Sequence, residues 1–346
     1  MKKMNMRKKE AIHGLLFVSP WIIGFLVFTL YPICSSLYYS LCDYQVIKDP
    51  VFIGLGNYKA LFQDKTFLKA LSNTVYMVIF GVPITTFIAV AVPIILNNKK
   101  LKYTGPFRVI FFIPTLVPTV VACLLWIWVM QPDTGIVNRL LGYIGIQGPG
   151  WLSSMFWSKP ALIIMMVWTC GNAIIIYLAG LQDIPDSLYE SAALDGAGFF
   201  RQTMSVTIPL LRSTILYNVV TLIIAVFQWF AEPYIMTSGG PDNQTMFYSL
   251  YLYQNAFSYF KMGYASAMAW ILLLIALAII LVLFKVFRFG ESELLGGNMI
   301  GLVTGANRGL GYEMIKEGLR RGHTMLAACR NTGDENSCRR SAEIRR

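Results

Sequence analysis

Charge is what this 346-residue chain has least of: 14% of its residues are Asp, Glu, Lys or Arg, where soluble domains carry about 25%. Hydrophobic residues make up 56% and the mean hydropathy is +0.56, so a water-soluble globule is excluded and a membrane protein is indicated. Histidine is almost missing, with 2 residues. The 6 cysteines show no CxxC pair and no metal-ligand spacing: Cys34, Cys123 and Cys170 lie in apolar runs, Cys42 at the end of one, Cys329 and Cys338 in the tail. That speaks against a disulfide framework and a zinc site. No G-x-x-x-x-G-K-[ST] phosphate loop occurs, so hydrolysis of ATP would have to be done elsewhere. The first apolar run is not followed by a small-residue cleavage site and continues as a full span, unlike a signal peptide.

What the chain does have is long apolar runs. They cover about Leu15–Leu41, Leu71–Leu96, Val109–Met130, Ala161–Leu181, Thr214–Met236 and Ala265–Phe287. Each reaches the ~20 residues that a bilayer needs, which predicts six transmembrane helices. Pro20 and Pro32 fall in the first run. Pro83, Pro93, Pro114 and Pro118 fall in the second and third, where a missing N–H is expected to kink the helix. Bent helices packed around a cavity, or hinges, would follow.

The net charge of +11 does not form a nucleic-acid face, because the basic residues sit in short loops between the runs. One side carries Lys2, Lys3, Arg7, Lys8 and Lys9, then Lys99, Lys100, Lys102 and Arg108, then Arg201 and Arg212, then Lys285 and Arg288. The other carries Lys48, Lys59, Lys65 and Lys69 offset by Asp43, Asp49 and Asp64, then Arg139, Lys159 and Lys261. The richer set marks the cytoplasmic side. Both ends of the six-span unit, and the loop between the fourth and fifth runs, are therefore expected inside.

That loop, Leu181 to Leu211, holds charge that its flanking spans could not. Ser187 and Glu190 have the spacing of a capping box, predicting a short helix through Leu194 that stops at Asp195-Gly196. A second amphipathic piece, Phe199 to Val206, is expected to break at Ile208-Pro209. Two short helices with a sharp bend at a membrane face make a docking element. An ordinary capped helix, with Glu190 serving only its own N-terminus, is the plainer reading.

The order Glu190-Ser191-Ala192, Asp195-Gly196-Ala197, then Ile208-Pro209 resembles the EAA loop of ABC-importer permeases, with Ser191 for the first Ala and Ile208 for the usual Leu. Three further stretches resemble carbohydrate-uptake permeases of the maltose, lactose and glycerol-phosphate type: Phe52–Phe62, Met236–Thr245 and Tyr253–Ala267. The likeness covers roughly Leu15 to Phe287 and is to the first of the two permeases. It implies the type I importer permease fold, an all-α membrane protein, with a basic arm at 1–14 and a six-span domain at 15–290 whose core is about 71–288. It also implies a non-enzymatic, cofactor-free and metal-free subunit in a prokaryotic cell membrane. Its partners would be a second permease, two copies of a cytoplasmic ATPase, an extracytoplasmic sugar-binding protein touching the loops around Asn57 and Pro241, the carbohydrate, and membrane lipid. Nucleic acid is not among them. Glu190, Ala192, Asp195, Gly196, Ala197 and Pro209 would couple to the ATPase.

A sugar site near mid-membrane needs polar groups that match hydroxyls, together with aromatic faces. Polar residues inside spans are costly and so point to function. Trp168, Thr169 and Asn172 in the fourth run and Gln228, Trp229 and Glu232 in the fifth are the candidates, and the resemblance implies contacts from these two helices. The alternatives are inter-helix hydrogen bonding for Asn and Gln and an interfacial role for Trp. A proton- or ion-coupled transporter would need a buried ionisable relay, and between Leu71 and Phe287 Glu232 stands without one.

From Met299 the composition changes. Met299–Val303 reads as a strand, Thr304-Gly305, Gly309 and Gly311 as a glycine turn, then a helix to about Arg321 and a strand at Thr324–Ala328. This resembles the truncated start of a short-chain dehydrogenase, whose turn cradles a dinucleotide pyrophosphate, with Arg330 where a 2′-phosphate is favoured. Tyr312 and Lys316 have the spacing of that family's catalytic pair but come too early in the chain. The 299–346 tail is expected to be a joined and shortened reading frame without dehydrogenase activity, disordered from Asn331 on.

Overall fold

The computed structural model describes residues 6–97, 104–295, 300–304 and 324–328, with side chains described over 13–97 and 105–285. It divides into two compact units, Met1–Ile280 and Leu281–Arg346. The first unit is built from helices. α1 (Met6–Phe25) passes through a π turn at Leu26–Leu30 into α2 (Tyr31–Ser40). Pro20 stays inside α1, and Pro32 stands at the start of α2, where a missing N–H costs least. After a short antiparallel ladder of β1 (Cys42–Asp43) and β2 (Val51–Phe52), α3 (Gly56–Gln63) leads into α4 (Lys65–Tyr76), a π turn and α5 (Val82–Leu96). The stretch Lys65–Leu96 is one 32-residue span, so Pro83 and Pro93 do not break it. The π turn just ahead of Pro83 absorbs the misfit there.

The next three spans are each bent. α6 (Thr104–Leu116) meets α7 (Thr119–Val129) at 103°, a break rather than a kink, at Val117-Pro118. After α8 (Ile136–Tyr143), α9 (Ser158–Trp168) meets α10 (Gly171–Gln182) at 47° across Thr169-Cys170. The loop that follows holds α11 (Asp186–Leu194), α12 (Phe199–Gln202), a π turn at Thr203–Thr207 and α13 (Ile208–Leu210). A 69° bend at Leu211 then opens α14 (Arg212–Phe227). α15 (Ala231–Thr237), α16 (Tyr248–Tyr253), a π turn at Gln254–Ser258 and α17 (Met262–Leu295) complete the order. Among the described residues three helices are long and apolar enough to cross a membrane unbroken, and up to six spans result when each bent pair is one.

Two expectations need correction. The fifth run is not one helix from Thr214 to Met236, because Gln228–Phe230 separates α14 from α15. Ile208-Pro209 does not stop the second loop helix: Pro209 lies in the first turn of α13, where its fixed φ suits a helix, and the bend comes at Leu211.

Ala89, Val90, Ile174 and Tyr177 form a buried cluster with Phe111 against it. A Cβ at Gly171 would collide with the Phe111 carbonyl oxygen, so only glycine lets α10 start against the backbone of α6. The hairpin end is tied more densely. The buried Asn57 amide donates to the Ser40 and Cys42 carbonyls at 2.9 and 2.8 Å. Asn73 donates to Asn243 and Met246 carbonyls at 2.7 and 2.9 Å, and Tyr248 N–H donates to the Thr74 hydroxyl at 2.9 Å. A Cβ on Gly263 would strike the Cys42 carbonyl oxygen. Asp64 caps α4 through the Thr66 and Phe67 amides and accepts the hydroxyls of Tyr251 at 2.5 Å and Tyr264 at 2.7 Å. Burial opposes its ionisation, but these four donors together outweigh it and hold the carboxyl below its usual range. Burial first, and the bond to Asp64 second, push the Tyr251 phenol up to about 12.

In the second unit, β3 (Ile300–Thr304) pairs in parallel with β4 (Thr324–Ala328), from Ile300↔Thr324 to Thr304↔Ala328. Both expected strands are present, the first one residue further on. Gly305, Gly309, Gly311, Tyr312, Lys316, Cys329, Arg330, Cys338 and the stretch from Asn331 lie outside the described residues, as do Lys2, Lys3, Lys99, Lys100 and Lys102.

Candidate functional site

The loop helix α11 starts at Asp186 behind Pro185, whose ψ of 132° is extended, and no side chain caps it. The capping box is therefore absent: Ser187 lies inside the first turn, and Glu190 does not close the N-terminus. Asp186 supplies the acidic residue of that first turn, favourable beside the helix's positive end. The expected stop is present in full. Gly196, at φ +77°, donates to the Ala193 carbonyl at 3.0 Å, and Ala197 donates to Ala192 at 2.9 Å. This pair of bonds is a Schellman motif, which needs the left-handed residue that glycine supplies. Ala192, Asp195, Gly196 and Ala197 are thus parts of one turn, with Glu190 one helical turn earlier. Pro209 is not in that turn.

The bend places α12 back against α11, where the Tyr189 and Thr207 hydroxyls meet at 3.0 Å and Gln202 donates to the Ala197 carbonyl at 2.9 Å. Between α11, the end of α5 and the second helix lies a cleft of about 470 Å3, lined by Ile94, Asn97, Tyr189, Glu190, Phe199 and Gln202 among others. Outside it the loop shows apolar residues to solvent: Leu194 is 90% exposed and Phe200 73%. Folding alone would bury rather than present them.

The six residues proposed for substrate lie at the two helix breaks. Trp168 ends α9 and Thr169 caps it, while Asn172 is in the first turn of α10. Gln228 caps α14, and Glu232 is in the first turn of α15. Trp168 packs edge-on against Trp126 of α7 with centroids 5.8 Å apart, and α15, which carries Glu232, also packs against α7. α7 thus touches elements from both breaks. Trp229 leans on Phe247, centroids 5.4 Å apart. The Thr169 hydroxyl is engaged locally, donating to Met165 and Met166 carbonyls, so it offers a substrate only its acceptor side. Asn172 and Gln228 are exposed. The sequence alone did not single out Trp126, because in an apolar run it does not differ from a lipid-facing residue. Among the described residues no group of His, Cys, Asp and Glu could hold a metal ion.

Residues 53–292 match the model of the family described as the binding-protein-dependent transport system inner membrane component. The chain belongs to this family. It is 39% identical over 290 residues to the probable ABC transporter permease protein YesP of Bacillus subtilis, covering 82% of this chain and 93% of that one. It is 37% identical to the lactose transport system permease protein LacF of Rhizobium radiobacter, covering 79% of this chain and 93% of that one. A chain in the crystal structure of a bacterial ABC transporter that imports the acidic polysaccharide alginate superposes with a TM-score of 0.69 at 25% identity, over 82% of this chain and 98% of that one. The helical fold is therefore that of an ABC-importer permease, and the chain is the membrane permease of a binding-protein-dependent importer.

Proposed function

We propose that this permease carries a saccharide into a prokaryotic cell, as one of two similar membrane subunits driven by a separate pair of ATPase subunits. The observation that carries the reading is the α11 turn: a short helix closed by a Schellman motif at Gly196, with Glu190 on a cleft and Leu194 held out to solvent. Such a helix suits a groove on a partner that moves on binding and releasing ATP. The basic loops argue for the cytoplasm on that side, for a cytoplasmic N-terminus, and for an outward-facing hairpin end that receives the binding protein. Carbohydrate as the cargo is supported by relatives such as the lactose permease.

The broken helices support a site within the membrane. Helix breaks at membrane depth are tolerated where they line a cavity, and they mark substrate sites in transporters. Trp168, Thr169, Asn172, Gln228, Trp229 and Glu232 are the residues through which the sugar would be held, the tryptophans by stacking and the others by hydrogen bonds. Glu190, Ala192, Asp195, Gly196, Ala197 and Pro209 form the ATPase-coupling segment, with Pro209 acting by setting the direction of α13. The tail at 299–346 is read as a non-catalytic appendage. Reconstitution with the second permease, ATPase and binding protein provides the test. Saccharide uptake that needs ATP and the binding protein is expected; uptake driven by an ion gradient without ATPase would overturn it.

A further inference from the structure

Four aromatic rings beside the second helix break touch one another in series. Phe257 meets Tyr253 at 5.1 Å between centroids, Tyr253 meets Phe230 at 4.6 Å, and Phe230 meets Tyr234 at 5.3 Å. Tyr234 also reaches Tyr253 at 5.8 Å, which closes the series sideways. The rings come from two separate stretches, each spaced by four residues: Phe230 and Tyr234 from the start of α15, Tyr253 and Phe257 from the end of α16 and its π turn. One turn of each helix thus presents two rings on the same side. This is no sealed core, since Tyr234 is 44% exposed and Phe257 57%. Neither tyrosine hydroxyl hydrogen-bonds to another described residue. The series begins at Phe230, the residue after Trp229, and Glu232 lies between Phe230 and Tyr234 in the chain. Glu232 is half-buried and has no cationic partner among the described residues.

We propose that this aromatic ladder is a stacking track for an uncharged oligosaccharide, delivering pyranose rings from the hairpin end to the break at Gln228–Phe230. The proposal rests on the carbohydrate reading above and adds where the chain of sugar rings lies and which sugars it accepts. A pyranose has a face of C–H bonds whose partly positive hydrogens suit the negative face of an aromatic ring. Its rim of hydroxyls needs donors and acceptors, which the two free phenols provide. Stacking ignores which hydroxyl points where, so a substrate can move from ring to ring without being trapped. At the inner end stands the Glu232 carboxyl, which in its ionised form only accepts hydrogen bonds. Ionised, it takes sugar hydroxyls and repels a uronic or sulfonated unit. The competing occupant of an exposed aromatic group in a membrane protein is the lipid interface, where losing a ring would leave the KM for a sugar unchanged.

The test uses the complete reconstituted transporter and labelled lactose, maltose, trehalose and diacetylchitobiose, with a labelled uronic-acid disaccharide beside them. The paired replacement Tyr234→Leu with Tyr253→Leu keeps apolar bulk and removes both stacking faces, and the paired change to Trp keeps the faces. Co-purification of the ATPase measures how much of each variant assembles. Each ring lost is expected to raise KM for the transported sugar about three- to tenfold, the Trp pair, which keeps the stacking faces but not the phenol hydroxyls, losing clearly less than the Leu pair and the uronic sugar refused throughout. Wild-type KM in the Leu pair would overturn the ladder and leave the carbohydrate reading standing. Equal impairment of the Leu and Trp pairs would also overturn it, in favour of packing. Uptake of none of the sugars by the wild-type transporter would overturn the carbohydrate reading, and the ladder with it.

Discussion

At the hairpin end, Asn57, Asp64 and Asn73 each place their polar atoms on two or more partners from distant parts of the chain. The Asp186–Leu211 loop is tied by bonds such as Tyr189–Thr207 and Gln202–Ala197 and leaves Leu194 and Phe200 in solvent. The hairpin end is held by these long-range bonds and by a buried cluster that includes Leu61, Phe67, Tyr248 and Met268, while Phe52 and Phe62 stay exposed there. The loop is fixed in backbone shape but keeps its apolar side chains uncovered. One end is joined across distant parts of the chain, and the other mainly by bonds between residues near one another in sequence.

The sharpest way to break the rigid end is Gly263→Ala. Its Cβ would meet the backbone of Cys42 and Tyr39, which cannot move aside like a side-chain tip. A loss of about 4 kcal/mol or more is expected, visible as a collapse in the amount of protein melting cooperatively in detergent. Asn73→Leu should cost about 2–3 kcal/mol, because the Asn243 and Met246 carbonyls lose their donor in a buried place. A thermal melt against wild type checks it. Asp64 adds a pH dependence at the same end. Its folded-state pKa is lowered, so its stabilisation is complete above the unfolded value of about 3.9 and is lost as pH falls through the lower folded value. Hydrogen exchange of the Thr66 and Phe67 amides should rise on acidification in that window, and Asp64→Asn should flatten the response. The smallest effect belongs to the loop. Gly196→Ala puts a Cβ where there is open space but at φ +77°, a strain of about 1–2 kcal/mol. It should fray the end of α11 in hydrogen exchange while leaving the global melting temperature nearly unchanged.

The same contrast governs what the sequence could reveal. Local rules were legible: six apolar runs, the Asp195-Gly196 stop, the two strands at 300–304 and 324–328. The start of α11 was misread because Ser187 and Glu190 fit a capping pattern, while Pro185, which presets an extended residue before Asp186, was the real boundary. The helix breaks at Thr169-Cys170 and Gln228–Phe230 escaped because hydropathy runs on through both. A few polar residues in an apolar run are the only local sign of these breaks. Pairings such as Trp126 with Trp168, or Asp64 with Tyr251 and Tyr264, join residues far apart in sequence. No spacing rule reaches them.

We propose the α11 turn as the place where the ATPase engages. Its most direct test is a pull-down of the cognate ATPase by membranes holding the partner permease with the wild-type chain, Gly196→Pro or Leu194→Ser. Proline cannot adopt φ +77° and lacks the N–H that bonds Ala193, so it dismantles the turn; Leu194→Ser keeps the turn and removes only an exposed apolar contact. The account expects the ATPase to be retained by wild type, lost with Gly196→Pro, and weakened with Leu194→Ser, at equal amounts of membrane-inserted permease. ATPase retained in full by both variants would contradict it.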